Sequence, residues 1–90
     1  MLATRRTETL EKMRRNPRDW RYEQIHNLLL SFGFGFREGS KGSHVVFFHA
    51  ELDEILSIPR ARPIKQIYTK NVVKIIDSLL EKRGNGDGLQ

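Results

Sequence analysis

Apolar residues fall on two kinds of repeat along the chain. Ile25, Leu28, Leu29 and Phe32 recur at i, i+3, i+4 and i+7, the stripe of an amphipathic helix. Tyr22 begins this stripe, and Gly33 follows it directly, where a left-handed cap favours glycine. A helix is therefore predicted from about Tyr22 to Phe32. Val72, Val73, Ile76, Leu79 and Leu80 repeat the spacing, with Ile75 widening the face. This second helix is given Thr69 as its N-cap and Gly84 as its stop, with Lys82 and Arg83 complementing the dipole. Between the two helices the period falls to two. Phe34 and Phe36 alternate with Gly35 and Arg37, "HVVFFH" is rich in β-branched and aromatic residues, and "ILSIP" is a short run stopped by Pro59. Three strands are predicted, linked by the turn "GSKGS" and the acidic loop "AELDE". Links this short favour an antiparallel meander. "RARPIKQIY" reads as irregular, held open by Pro63.

The first segment is thinner. Thr4 to Arg15 offers only Leu10 and Met13 as an apolar edge, with Thr4 or Thr7 to cap it and Asn16-Pro17 to end it. A helix with so few anchors is marginal alone, an extension that either docks or frays. Residues 1–19 are therefore expected to be an N-terminal extension, 20–83 the domain and 84–90 a disordered tail. The expected fold is α+β, a two-layer α-β-β-β-α domain with a three-stranded antiparallel sheet, preceded by a short N-terminal helical extension. Alternation along "SHVVFFH" puts His44, Val46 and Phe48 on one side and Val45, Phe47 and His49 on the other. Both sets are apolar after His44, yet the helices cover one face. A partner surface or a second copy is expected on the open one. No internal repeat is visible.

Charge narrows the class of partner. Of 90 residues, 16 are basic and 11 acidic, a net charge of +5. Residues 1–21 hold seven basic and three acidic groups, and Pro59 to Ile76 carries Arg60, Arg62, Lys65, Lys70 and Lys74 with no acid. Such a balance favours polyanions. The chain has no cysteine, which excludes disulfides and thiolate zinc sites. It has no run long enough to span a bilayer and no signal-like apolar region near the N-terminus, so a cytoplasmic location without membrane attachment is expected.

Three histidines are candidates for chemistry. His26, inside the first amphipathic helix, reads as a surface or boundary residue, and His49, beside the acidic loop, as structural or exposed. His44 stands where a loop of glycine, serine and lysine becomes a strand. Glycine permits close approach of backbone N–H groups to a phosphate, Lys41 adds a point charge, and a neutral imidazole beside that anion accepts protons near neutral pH. A plain turn also accounts for "KGSH", and spacing alone favours the turn. No metal site is expected, because the histidines sit on separate elements without H-x-x-x-H spacing. A serine–histidine pair is not expected either, because adjacent residues of a strand point apart. Phosphate-binding glycine motifs are absent.

From Tyr22 to Leu80 the chain resembles the HicA family of type II toxins, which are mRNA interferases. The matching pieces are "YEQIHNLLLSFGF", the "KGSH" turn running into "VVFFH", "LSIP", and "YTKNVVKIIDSLLE". "EKMRRNPRDWRYEQI" resembles the start of longer members. The resemblance covers about two thirds of the chain, in order. It implies a double-stranded-RNA-binding-like fold and a metal-independent endoribonuclease with His44 as the catalytic residue and no cofactor. It also implies neutralisation by a HicB antitoxin that covers the His44 face, with a higher-order toxin–antitoxin complex as a further expectation. In that scheme Lys41, Gly42 and Ser43 hold the scissile phosphate of mRNA, and Arg37, Arg60, Arg62 and Lys65 are the flanking RNA contacts. Two other readings remain open: a non-catalytic RNA-binding module of the same fold, and a protein-interaction subunit.

Overall fold

The computed structural model describes residues 5–39 and 42–87. Its elements run α1 (Arg5–Arg15), α2 (Tyr22–Ser31), β1 (Gly35–Glu38), β2 (His44–Phe48), β3 (Leu56–Pro59) and α3 (Gln66–Asp87). The strands form one antiparallel sheet in the order β1-β2-β3. The described residues thus form a small α+β domain with three helices and a three-stranded meander, as the repeats predict.

Burial selects the inner face of the sheet. Val45, Phe47, Leu56 and Ile58 are buried against Ile25, Leu29, Ile76 and Leu79. His44 and Phe48 lie on the opposite face and are exposed, with Val46 between them half-buried. The outer face is also where Gly35 stands. A Cβ there would come within 2.8 Å of the Phe48 ring, so the glycine leaves the ring room to lie across β1.

The end of α2 explains the turn into the sheet. Gly33 N–H donates to the Leu30 carbonyl and Phe34 N–H to the Leu29 carbonyl, the paired bonds of a Schellman cap. Gly33 has φ +93°, and a Cβ at this position would sit 3.1 Å from His49 Nε2. Gly33→Ala therefore meets both a left-handed backbone penalty of about 1–2 kcal/mol and a buried ring. Thermal denaturation should show the loss, and an unchanged melting temperature would refute it.

Of the two outcomes open to the N-terminal extension, docking or fraying, the fold shows docking: Leu10 and Met13 are 2% and 0% exposed, and α1 packs on α3 and α2. Arg14 locks it in place through two bonds to the Asp77 carboxylate, at 2.6 and 2.8 Å. An apolar edge two residues wide suffices because both side chains are swallowed completely. Thr69 is not an N-cap. α3 starts a turn earlier, because Ile64 is buried and its N–H is held by the Trp20 carbonyl at 3.1 Å, which brings Gln66 to Tyr68 into helical register. Thr69 is instead fully buried, and its hydroxyl has no partner among the described residues. Gly84 does not stop α3, which continues to Asp87. Glycine adopts helical dihedrals at a cost of roughly 0.5–1 kcal/mol relative to alanine. Of the expected tail, residues 84–87 are helical and 88–90 lie outside the described residues, as does the suggested Thr4 cap.

Lys82 and Arg83 act across space rather than only on the helix dipole. Lys82 donates to the Glu51 carbonyl at 2.6 Å, and Arg83 lies 3.5 Å from the Glu51 carboxylate. His49 completes this corner: it is buried, and its Nδ1 accepts the Glu51 N–H at 3.0 Å. These contacts pin the β2–β3 connection to α3 and make His49 structural. His26 is a boundary residue, as expected, with Nδ1 3.1 Å from the Tyr22 hydroxyl and its ring edge-on to Phe36.

Candidate nucleic-acid site

His44 opens β2 at the edge of the uncovered face. Its backbone is held on both sides: the His44 carbonyl accepts the Gly39 N–H at 2.9 Å, and Pro59 is its partner on β3. The loop before it folds back on itself through Gly42 N–H to the Gly39 carbonyl, 3.1 Å. Gly42 has φ +74°, with nothing within 4 Å of a Cβ placed there. Its glycine is required by the backbone dihedral rather than by crowding, and the space above it is open to a ligand.

Ser43 Oγ lies 3.2 Å from His44 Nδ1. Sequence alternation suggested that the two side chains point apart. They meet because Ser43 belongs to the bend before β2, where strand alternation does not apply. The contact has a tautomeric consequence. If Nδ1–H donates to Ser43 Oγ, the Nε2 lone pair is free to take a proton; the reverse arrangement leaves Nε2 carrying hydrogen. The imidazole makes no other hydrogen bond among the described residues.

Arg60 holds the loop. Its N–H donates to the Ser43 carbonyl at 3.0 Å and its Nη1 to the Gly42 carbonyl at 2.9 Å. The same guanidinium is paired with Glu38 at 2.8 and 3.2 Å and sits 5.6 Å from the centre of the Tyr22 ring. Arg60 holds the Glu38 carboxyl below the usual carboxylate range, chiefly by the direct hydrogen bond. Burial pushes the Tyr22 phenol up, and Arg60 opposes it. Arg60 was expected to contact RNA. In the fold its guanidinium is paired with Glu38 and, with its backbone N–H, positions Gly42 and Ser43.

Arg37 is exposed, pairs with Val46 and so shares the His44 face. It lies diagonal to His44, where such neighbours stand roughly 7–8 Å apart. Arg62 and Lys65 are exposed in the β3–α3 connection; Arg62 lines a 540 Å³ hollow with Asp19, Arg21 and Glu23. Lys41 lies outside the described residues. The fold therefore gathers Gly42, Ser43, His44 and Arg37 on the open face, sets Arg60 behind the loop, and leaves Arg62 and Lys65 in a separate segment. Glu38 and Tyr22 were missed by sequence reasoning. Nothing local links Glu38 to Arg60; only the register that aligns Glu38, Val45 and Ile58 in one row brings the two strand ends together.

Glu38→Gln should free Arg60 and loosen the loop, raising backbone motion at Gly42 to His44 in nitrogen-15 relaxation. Because the folded carboxyl is depressed, its contribution is present above the ordinary glutamate range and is lost as pH falls through the lowered value. Acidification through that range should reproduce the variant in the native protein. Identical relaxation in both proteins would remove the clamp from the account.

Among the described residues no group of three or more His, Asp or Glu side chains could hold a metal ion, and no helix is long and apolar enough to cross a membrane. No protein-family model matches the chain, and neither a curated protein nor a solved structure does.

Proposed function

We propose that the chain is the toxin of a type II toxin–antitoxin pair, a metal-independent endoribonuclease that cleaves mRNA with His44 as general base. One observation carries this reading: an exposed imidazole at the rim of the uncovered sheet face, which Arg37 shares, directly after a glycine loop whose backbone is held from behind by Arg60. The order α2-β1-β2-β3-α3 agrees with a double-stranded-RNA-binding-like domain.

In this mechanism an RNA strand is steered to the face by charge and read through its backbone and 2′-hydroxyl. His44 Nε2 takes the 2′-hydroxyl proton. The 2′-oxygen then attacks the neighbouring phosphorus, and the bond to the 5′-oxygen breaks. The products are a 2′,3′-cyclic phosphate and a 5′-hydroxyl, the latter protonated by water. The Ser43 N–H, with Lys41 and Arg37, offsets the charge that builds on the phosphate, while the Gly42 N–H stays on the Gly39 carbonyl and keeps the loop closed. A HicB-type antitoxin would silence the chain by covering Val46, Phe48 and His44 together, which removes a half-apolar face from water and closes the catalytic edge.

Expression of the chain with and without such an antitoxin, beside a His44→Ala variant, tests the reading. Growth arrest with fragmented RNA is expected from the native chain alone. Fragmentation that persists in His44→Ala rejects the catalytic assignment. RNA that is bound but never cut, even by the native chain, leaves the binding-module reading standing.

A further inference from the structure

A second basic surface lies on the helical side, away from His44. The cations of the N-terminal segment divide by what they touch. Arg14 is committed to Asp77 and Glu11, and Arg6 donates to the Ser31 carbonyl while lying over the Phe32 ring. Lys12, Arg15 and Arg18 are exposed, and their side chains make no ion pair or hydrogen bond among the described residues. Three hollows meet at these three residues. A 460 Å³ groove between α1 and α2 is lined by Arg5, Lys12, Trp20 and Gln24. A second of 570 Å³ shares Lys12, Trp20 and Gln24 and adds Arg15 and Arg18. A third of 580 Å³ shares Arg15 and Arg18 and reaches Lys70 on α3. Asp19 is the only acid lining these three, while a smaller hollow of 280 Å³ on the other side of Lys12 and Arg15 brings Glu8 and Glu11 to the margin of the surface.

The chain builds this track deliberately at the end of α1. Lys12 and Arg15 stand one turn apart. After Pro17 the loop turns back at Asp19, with φ 63°, and Trp20 Nε1 donates to the Asn16 carbonyl at 2.6 Å. That bond fixes the indole beside the cations and carries Arg18 onto the same ridge. The centre of a protein–protein interface is depleted of charge. Here the centre is three unpaired cations flanked by amides and a half-exposed indole, and the aliphatic residues Met13, Leu28 and Val73 beneath are buried. A sugar–phosphate backbone asks for such a set: point charges for phosphates, amides for sugar oxygens, an aromatic face for a base.

We propose that this track holds the backbone of single-stranded nucleic acid, giving the chain two contact surfaces, one on each layer. The proposal extends the ribonuclease reading, and its test measures binding, so that it stands or falls apart from cleavage.

The test uses His44→Ala protein, full length, with fluorescent 20-nucleotide RNA and DNA of one sequence, titrated by anisotropy across a salt series. Lys12→Gln, Arg15→Gln and Arg18→Gln together should flatten the plot of log affinity against log salt by about 2, and weaken binding by about 10–100-fold near 0.1 M salt. Loss on either nucleic acid supports the track, and the stronger arm names the strand it takes. The charge-keeping set Lys12→Arg, Arg15→Lys and Arg18→Lys should retain binding, which separates charge from misfolding. Unchanged slope and affinity in the glutamine set overturns the proposal. So does poly-glutamate binding as tightly as RNA and weakened alike by the triple change, which would make the track a site for acidic protein.

Discussion

Purified His44→Ala should bind RNA like the native chain and cut it about 10²–10⁴-fold more slowly, the span that a positioned general base contributes. The expectation rests on where the ring is. His44 is exposed, its ring bonds only to Ser43 Oγ among the described residues, and its backbone bond to Gly39 and its place beside Pro59 do not depend on the imidazole. Folding should therefore survive the change, and the loss should fall on the chemical step with affinity held. Single-turnover cleavage of a labelled RNA, read beside anisotropy, separates the two. A variant that loses affinity and rate in equal proportion would make His44 a contact rather than a base. One that keeps its rate would remove His44 from the chemistry altogether.

Met13→Ala should cost about 2–5 kcal/mol of folding stability, the range for truncating a large buried aliphatic side chain. Each kcal/mol corresponds to about 4–8 °C of melting temperature in a domain of this size. Met13 is 0% exposed and sits in the core cluster together with residues of α2 and α3, so truncation opens a cavity that rigid neighbours cannot fill. Its exposed neighbour gives the contrast: Lys12→Ala should stay within roughly 0.5 kcal/mol. Equal melting temperatures for the two variants would mean that α1 contributes nothing to the core and frays rather than docks.

That contrast shows where reading the chain alone runs short. The α1 helix has two apolar residues in eleven, Leu10 and Met13. Nothing in the local pattern says that both are covered on every side. Similarly, the sequence points to a start of α3 at Thr69, because Thr is a good cap and Pro63 a good breaker. The deciding contact was Ile64 with Trp20, 44 residues earlier. Long-range anchoring overrode a sound local rule. At the candidate site, the glycine loop, His44 and the strand that follows were legible from residue types. The meeting of Ser43 with His44 was not, since it turned on where β2 begins. Nor was the role of Arg60, which depended on Glu38 two strands away.

By itself, the order of residues determined the helix–strand–strand–strand–helix succession, the meander, the excess of positive charge and the placing of one histidine at a glycine-rich loop end. Periodicity, turn chemistry and charge are local properties, written within a few residues of where they act. Tertiary packing alone decided which face of β2 is covered, that α1 belongs to the core, which arginines are spent on carboxylates and which remain free along the α1 track. Those outcomes depend on contacts between residues far apart in the chain, and they exist only once the sheet and the helices have closed on one another.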